Sequence, residues 1–296
     1  MNYGDRIANE VVQNLVDMLE SGVDGKWSAP WTKLAGSLPL NASTGKEYRG
    51  WNIFGLAIAA IKKEYKSNYW ATFNQWKALG AKVKKGSKTE TICFWQPNKY
   101  EKTNPTTGKV EEKDGVLFKV YRVLNADCVE GWEEPTIEGR TFNAVEECEA
   151  TINATGANIQ HIGNRACYIP SLDCIHLPPR EAFDSEENYY ATSFHELGHW
   201  TGSDTRLNRQ FGKRFGDDAY AFEELVAELS AAILCAKHGI EAVTRQSHAQ
   251  YVAHWVKMLQ ADPKALFTAG SQASKAVDYI TEMREHEQAE EEAQAA

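Results

Sequence analysis

His195-Glu196-Leu197-Gly198-His199 is the stretch that most restricts what this chain can become. Histidines four positions apart come close enough to share one ion in an α-helix, where 3.6 residues per turn bring i and i+4 together on one face, whereas a strand would hold them about 13 Å apart. The flanking residues predict that helix without reference to the motif. Ser185 is a good N-cap, Glu186 and Glu187 place negative charge in the first turn, and Gly202 sits just past the last turn. A helix from Glu186 to Thr201 therefore offers both imidazoles to one metal ion. Glu196 is placed beside them, as the catalytic carboxylate that takes a proton from metal-bound water. Without a metal, the same pattern is a capped surface helix with two solvated histidines.

Two imidazoles need a third protein ligand. The longer pattern HExxHxxGxxH would supply a histidine, and Gly202 fits its glycine, but Thr205 stands where the third histidine belongs. The other solution is a carboxylate from a second helix, expected at about Tyr220 to His238, which contains the run FEELVAEL. Phe222, Leu225, Val226, Leu229 and Ile233 form its apolar stripe, and Glu224 and Glu228 lie at the border of that stripe on a shared face. Glu224 is expected as the third ligand, with Glu228 accepting a hydrogen bond from a ligand imidazole; the reverse assignment stays open. The spacing E-x-x-A-E resembles elements of thermolysin-like and ImmA/IrrE-like metallopeptidases, which favours Glu224. Glu223 is expected to be solvated. Two histidines and one carboxylate suit Zn2+ best and also admit Mn2+ or Fe2+. Three ligands with one open position have the form of a catalytic site for peptide hydrolysis. Tyr189, Tyr190, Tyr220 and His248 are weak candidates to stabilise an oxyanion, and packing is the expected role of each.

The net charge of −9 argues against a nucleic-acid partner until it is divided by position. Residues 1–128 carry 19 Lys+Arg and 13 Asp+Glu, whereas residues 129–296 carry 13 and 28, so a +6 module precedes a −15 module. Between Lys46 and Lys88 there are ten basic residues and two acids, and six of the nine tryptophans lie before residue 96. Cations for phosphates and aromatic faces for unpaired bases together suit single-stranded nucleic acid. The expected binding residues are Lys46, Tyr48, Arg49, Trp51, Trp70, Trp76, Lys82, Lys84, Lys85 and Lys88. The competing reading is that the tryptophans are core and the lysines a solvated face.

A linker-like stretch rich in Pro, Gly and acids sets the expected boundaries: domains at 1–128 and 144–296, joined by 129–143. In the first, helices are expected over 4–20, 52–65 and 72–79. Two strands, ETICFWQ and GVLFKVYRVLNA, are expected to be joined by a mobile polar hairpin. In the second, a helix over 143–154, strands in NIQHIG and RACYIPSLDCIHLP, and helices over 186–201, 220–238 and 247–259 are expected, followed by a solvated acidic tail. The fold class is α+β with two domains. Six scattered cysteines without a CxxC pair predict reduced thiols, and the polar start and short apolar runs predict a cytoplasmic protein without a membrane span.

Several stretches together resemble the ArdC family of plasmid-borne antirestriction proteins along nearly the whole chain. They are WSAPW, NASTGKEYRGWN, YWATFNQWKALGAKVKKGSK, YRVLNADC, YYATSFHELGHWTG, RLNR and FEELVAEL. The amino-terminal portion also looks like the start of the primases of conjugative plasmids. The resemblance implies an amino-terminal domain that binds single-stranded DNA non-specifically and a carboxy-terminal zincin-like metallopeptidase domain. It further implies protection of incoming plasmid DNA from host restriction endonucleases during conjugation. Two alternatives follow: an active zinc peptidase that cleaves a partner such as a restriction-enzyme subunit, or a structural metal without catalysis. The oligomeric state is not readable from the sequence.

Overall fold

A computed structural model of the chain describes residues 9, 11–13, 15–17, 38–103, 110–135, 144–209, 218–240 and 248–295. The WSAPW loop and much of the expected linker lie outside them. Residues 9, 11–13 and 15–17 are helical. The first half continues with β1 (Leu40–Asn41), α1 (Trp51–Lys62), β2 (Tyr69–Thr72), α2 (Phe73–Ala78), β3 (Lys82–Val83), β4 (Glu90–Thr103), β5 (Val110–Asn125) and β6 (Val129–Glu130). The second half holds α3 (Ala144–Ala154), β7 (Asn158–His161), β8 (Cys167–Ile169), β9 (Cys174–Leu177), α4 (Glu186–Trp200), α5 (Asp218–Lys237), α6 (His248–Ala261) and α7 (Lys264–Ala295).

The amino-terminal sheet has the order β1-β2-β5-β4. Its long β4–β5 ladder is antiparallel and runs from Glu90↔Val123 to Thr103↔Val110. The polar segment expected as a hairpin pairs as one as far as Thr103↔Val110, with residues 104–109 outside the described residues, because extending the ladder pairs backbone groups that a loop would leave to solvent. Thr72 starts α2 with a reciprocal capping box to Gln75. Trp76 Nε1 then donates to Leu124 O at 3.0 Å and fastens α2 to the sheet.

In the second half, β9 pairs parallel with β7 and antiparallel with β8. Helices α4 and α5 touch at Gly198: a Cβ there would lie 3.0 Å from Ala227 Cα. That backbone approach is what brings the motif helix and the glutamate helix within side-chain reach of each other.

Helix α7 is longer than the acidic tail expected from the sequence. It starts at Lys264 and buries Leu266, Phe267, Ala269, Ala273, Ala276, Val277 and Ile280. It also joins the two halves. A Cβ on Gly270 would lie 2.6 Å from Trp51 N, Gly50 N donates to Ser274 Oγ at 2.9 Å, and Arg49 pairs with Asp278. Lys237 Nζ reaches Glu47 Oε2 at 2.7 Å. Trp51, Phe54 and Trp70 consequently share one hydrophobic core with Phe194, Leu229, Trp255 and Val277. All six cysteines are free thiols, and among the described residues no helix is long and apolar enough to cross a membrane.

Candidate metal centre

Helix α4 begins at its Ser185 cap, whose hydroxyl accepts from Asn188 N, and every residue from Tyr189 to Trp200 is buried. His195 and His199 therefore face the protein interior and α5 rather than water. Their Nε2 atoms are 3.1 Å apart. Glu224 of α5 places Oε2 3.7 Å from His195 Nε2 and Oε1 3.4 Å from His199 Nε2. The three residues are the described group whose donor atoms converge closely enough to hold a metal ion.

The triangle fits a divalent metal. Ligand atoms bound at about 2.0–2.1 Å in a tetrahedron sit roughly 3.3–3.5 Å from one another; the two imidazole nitrogens are 3.1 Å apart, each ring has its nearest Glu224 oxygen at 3.4 or 3.7 Å, and one donor atom from each residue lies within 4.8 Å of the other two. Two imidazole nitrogens in van der Waals contact, facing a buried carboxylate, have the donor chemistry of a cation site: at most one of them can present a proton to the other.

Each imidazole has its own carboxylate behind it. His195 Nδ1 lies 2.8 Å from Glu228 Oε1, and His199 Nδ1 lies 3.4 Å from Glu223 Oε1. Glu223 is 2% exposed, which corrects the expectation that it is solvated. The reason is Arg209, itself buried, whose Nε and Nη2 donate to the two Glu223 oxygens at 3.0 and 2.7 Å. The same guanidinium donates to Gly198 O and Thr201 Oγ1, so it also ties off the end of α4. The second arginine of RLNR, Arg209, was the visible signal, but its partner lies fourteen positions on across a segment of no readable period.

Burial by itself would lower the pKa of His199, but Glu223, Glu224 and Glu196 outweigh it and push it up to about 10. Burial would raise Glu224, and His199 and His195 instead hold it at about 2. The surrounding carboxylates thus favour the charged form of His199, and the two histidines the charged form of Glu224.

Glu196 is 3% exposed and its Oε2 accepts from Tyr168 N of the edge strand β8 at 2.9 Å. The carboxylate is buried beside the histidines and oriented by a backbone donor. Tyr189 and Tyr190 direct their hydroxyls elsewhere, to His161 Nε2 at 3.0 Å and Glu149 Oε1 at 2.9 Å. Neither is placed to serve an oxyanion through those hydroxyls.

The expected DNA-binding residues divide sharply. Trp51, Trp70 and Trp76 are 6%, 1% and 0% exposed, and Tyr48 is 6% exposed with its hydroxyl bonded to Trp70 O. Their ring faces belong to the core, so they cannot stack on bases; large aromatics close a small domain's core before they serve its surface. Arg49 is engaged by Asp278. Lys46, Lys82, Lys84, Lys85 and Lys88 are exposed, with Lys84 Nζ donating to Asp127 O at 2.9 Å. Among the described residues the exposed large aromatics are Phe73, Phe94 and Tyr121; the sequence points to Phe73, within the Trp70/Phe73/Trp76 cluster, and not to the other two. Phe94 and Tyr121 share a face through the register of β4 against β5, which alternation within ETICFWQ and KVYRV does not supply.

An α+β amino-terminal sheet domain, joined to a helical domain with an HExxH helix and a glutamate helix, defines a two-domain protein with a zincin-like metal centre. A family model described as the N-terminal domain of anti-restriction factor ArdC matches residues 5–125, and one described as a zincin-like metallopeptidase matches residues 146–272. The chain resembles the crystal structure of the antirestriction ArdC protein from plasmid R388 in its metal-free form, with a TM-score of 0.77 at 36% identity over 94% of this chain and 98% of that one. The Mn(II)-bound form of that protein matches with a TM-score of 0.75 at 34% identity, covering 94% and 97% of the two chains. An uncharacterized protein of Sinorhizobium fredii is 32% identical over 93% of this chain and 91% of its own length. A DNA primase TraC of Escherichia coli is 39% identical over 92% of this chain, which spans only 26% of that primase. The chain belongs to the ArdC antirestriction family.

Proposed function

We propose that this protein binds single-stranded DNA without sequence preference and thereby protects incoming plasmid DNA from host restriction endonucleases during conjugation. The observation that carries this reading is the likeness to the R388 antirestriction protein over both domains and 94% of the chain. The exposed lysines of residues 82–88, in a half of the chain with net positive charge, support an electrostatic hold on phosphates. The acidic second half is kept away from DNA by its own charge. The place of action is the cytoplasm of the recipient cell.

In this reading His195, His199 and Glu224 are the ligands of a divalent metal, Zn2+ by donor preference and Mn2+ by the example of the R388 protein. Glu228 and Glu223 orient the two imidazoles. When bound, the ion supplies Lewis acidity and a water of lowered pKa. Glu196, fixed by Tyr168 N, is within the centre and able to hold or pass a proton. That placement favours a second reading, in which the centre hydrolyses a protein partner such as a restriction-enzyme subunit.

Titration of labelled single-stranded and duplex oligonucleotides with the full chain at several salt concentrations tests the primary reading. Preference for the single strand, with affinity falling steeply as salt rises, is expected. Equal affinity for duplex, or no binding at low salt, would overturn it.

A further inference from the structure

The β4–β5 ladder pairs Ile92 with Tyr121 and Phe94 with Lys119. Residues opposite one another or two apart share a sheet face, so Ile92, Phe94, Lys119, Tyr121 and Val123 form one surface. Ile92 and Val123 are 3% and 0% exposed and sink into the core. Phe94 and Tyr121, further along the same face, are 47% and 43% exposed and meet edge to face at 5.5 Å. Phe73, the first residue of α2, is 58% exposed and lines the same groove, which has a volume of about 810 Å3. Leaving three aromatic rings in water on one concave surface is unfavourable for folding alone and points to a ligand.

The chemistry of the lining identifies that ligand. Lys119, on the face of the open rings, contributes positive charge, Arg122 borders the groove from the alternate face, Asn74 and Gln75 contribute amides, and no acid lines the groove. Among the described residues neither Lys119 nor Arg122 forms an ion pair, in contrast to Arg49 with Asp278 and Lys63 with Glu90. In a chain of net charge −9, a groove with cations, open rings and no carboxylate is complementary to a polyanion with flat faces. We propose that this groove is where single-stranded DNA binds, with unpaired bases stacked on Phe94, Tyr121 and Phe73 and phosphates held by Lys119, while Arg122 borders the groove from the alternate face of the sheet. The reading rests on the proposed DNA binding and replaces the buried tryptophans as its site. A duplex, whose bases are already stacked, gains little from the aromatic faces.

Fluorescence anisotropy with labelled oligo(dT), using the full chain, tests the site. Phe94→Ala, Tyr121→Ala and Phe73→Ala are each expected to weaken binding about five- to a hundredfold, the effect of losing one stacked base. Tyr121→Phe keeps the ring and is expected to bind like wild type. Phe94→Trp is expected to lose its added indole fluorescence on binding. Thermal melting of each variant should stay close to wild type, since the replaced rings are exposed. Wild type that binds while the alanine variants bind equally well would overturn the groove and leave the proposed function standing. Wild type that fails to bind would overturn both.

Discussion

Arg209 Nη2 lies 2.7 Å from Glu223 Oε1, and that same oxygen lies 3.4 Å from His199 Nδ1, so a buried guanidinium fixes the carboxylate that fixes a metal-ligand imidazole. Carboxylates behind ligand histidines set the ring tautomer and orientation, and losing one typically costs ten- to a hundredfold in metal affinity. Glu223→Gln is therefore expected to weaken metal binding by roughly that factor in a calorimetric titration. Arg209→Lys should not restore the arrangement, because an ammonium cannot reach both Glu223 oxygens, Gly198 O and Thr201 Oγ1 at once. Unchanged affinity in both variants would show that the centre needs neither residue.

Protonation of His199 sets the pH dependence of metal uptake. With its pKa pushed up to about 10 by Glu223, Glu224 and Glu196 against the effect of burial, the metal-free ring holds a proton at neutral pH. A metal needs the Nε2 lone pair, so binding should release about one proton at pH 7–8 and tighten as pH rises towards 10. Titration in two buffers of different ionisation enthalpy measures the released proton directly. The same raised pKa contributes stability to the stripped protein that is full below pH 6.5 and lost as pH rises through about 10. Glu224, held at about 2, stays ionised throughout that range.

His238 predicts an opposite trend on the acid side. Burial, helped by Lys237, lowers its pKa to about 4, its ring stacks on Phe194 at 5.3 Å, and neither ring nitrogen meets a hydrogen-bond partner among the described residues. The unfolded chain takes up this proton near pH 6.5 and the folded chain only near 4. Stability is therefore expected to fall as pH drops through that window, by up to roughly 3 kcal/mol. Denaturant melts of His238→Phe between pH 6.5 and 5 should show a shallower decline than wild type.

The contact between Gly270 and the start of α1 joins the two halves. A methyl group at Gly270 would lie 2.6 Å from Trp51 N and 3.1 Å from Gly50 C, both backbone atoms that cannot swing aside. Gly270→Ala is expected to cost roughly 1–3 kcal/mol, read as a lower melting temperature of the full chain. Cutting the chain after residue 128 would expose Trp51, Phe54 and Trp70 where the second half now covers them. That fragment is expected to bind a hydrophobic dye and to melt without cooperativity.

The metal centre was more legible in the sequence than the DNA surface, for physical reasons. His195, His199, Glu224 and Glu228 obey helical spacing, and a helix converts spacing into geometry by itself. Thr72 and Gln75 mark α2 by the same local logic. Glu223 was misread because its burial depends on Arg209, a partner held in place by tertiary structure. The tryptophans were misread because composition counts aromatics without telling which face they occupy. Phe94 and Tyr121 acquire meaning only with the register Ile92↔Tyr121, a pairing of strands joined by a long arm. Helix α7 was hidden because Ala269, Gly270, Ala273 and Ala276 make its buried stripe out of small residues, whose hydrophobic contrast is weak.

Plasmid transfer into restricting and non-restricting recipients, compared as a ratio, tests the central claim most directly. Three donor plasmids would encode wild type, Glu196→Gln, and the combined Phe73→Ala, Phe94→Ala and Tyr121→Ala variant. DNA shielding by the groove predicts that Glu196→Gln protects as well as wild type and that the triple variant loses protection. Loss of protection in Glu196→Gln with full protection by the triple variant would contradict it and give the antirestriction function to the metal centre.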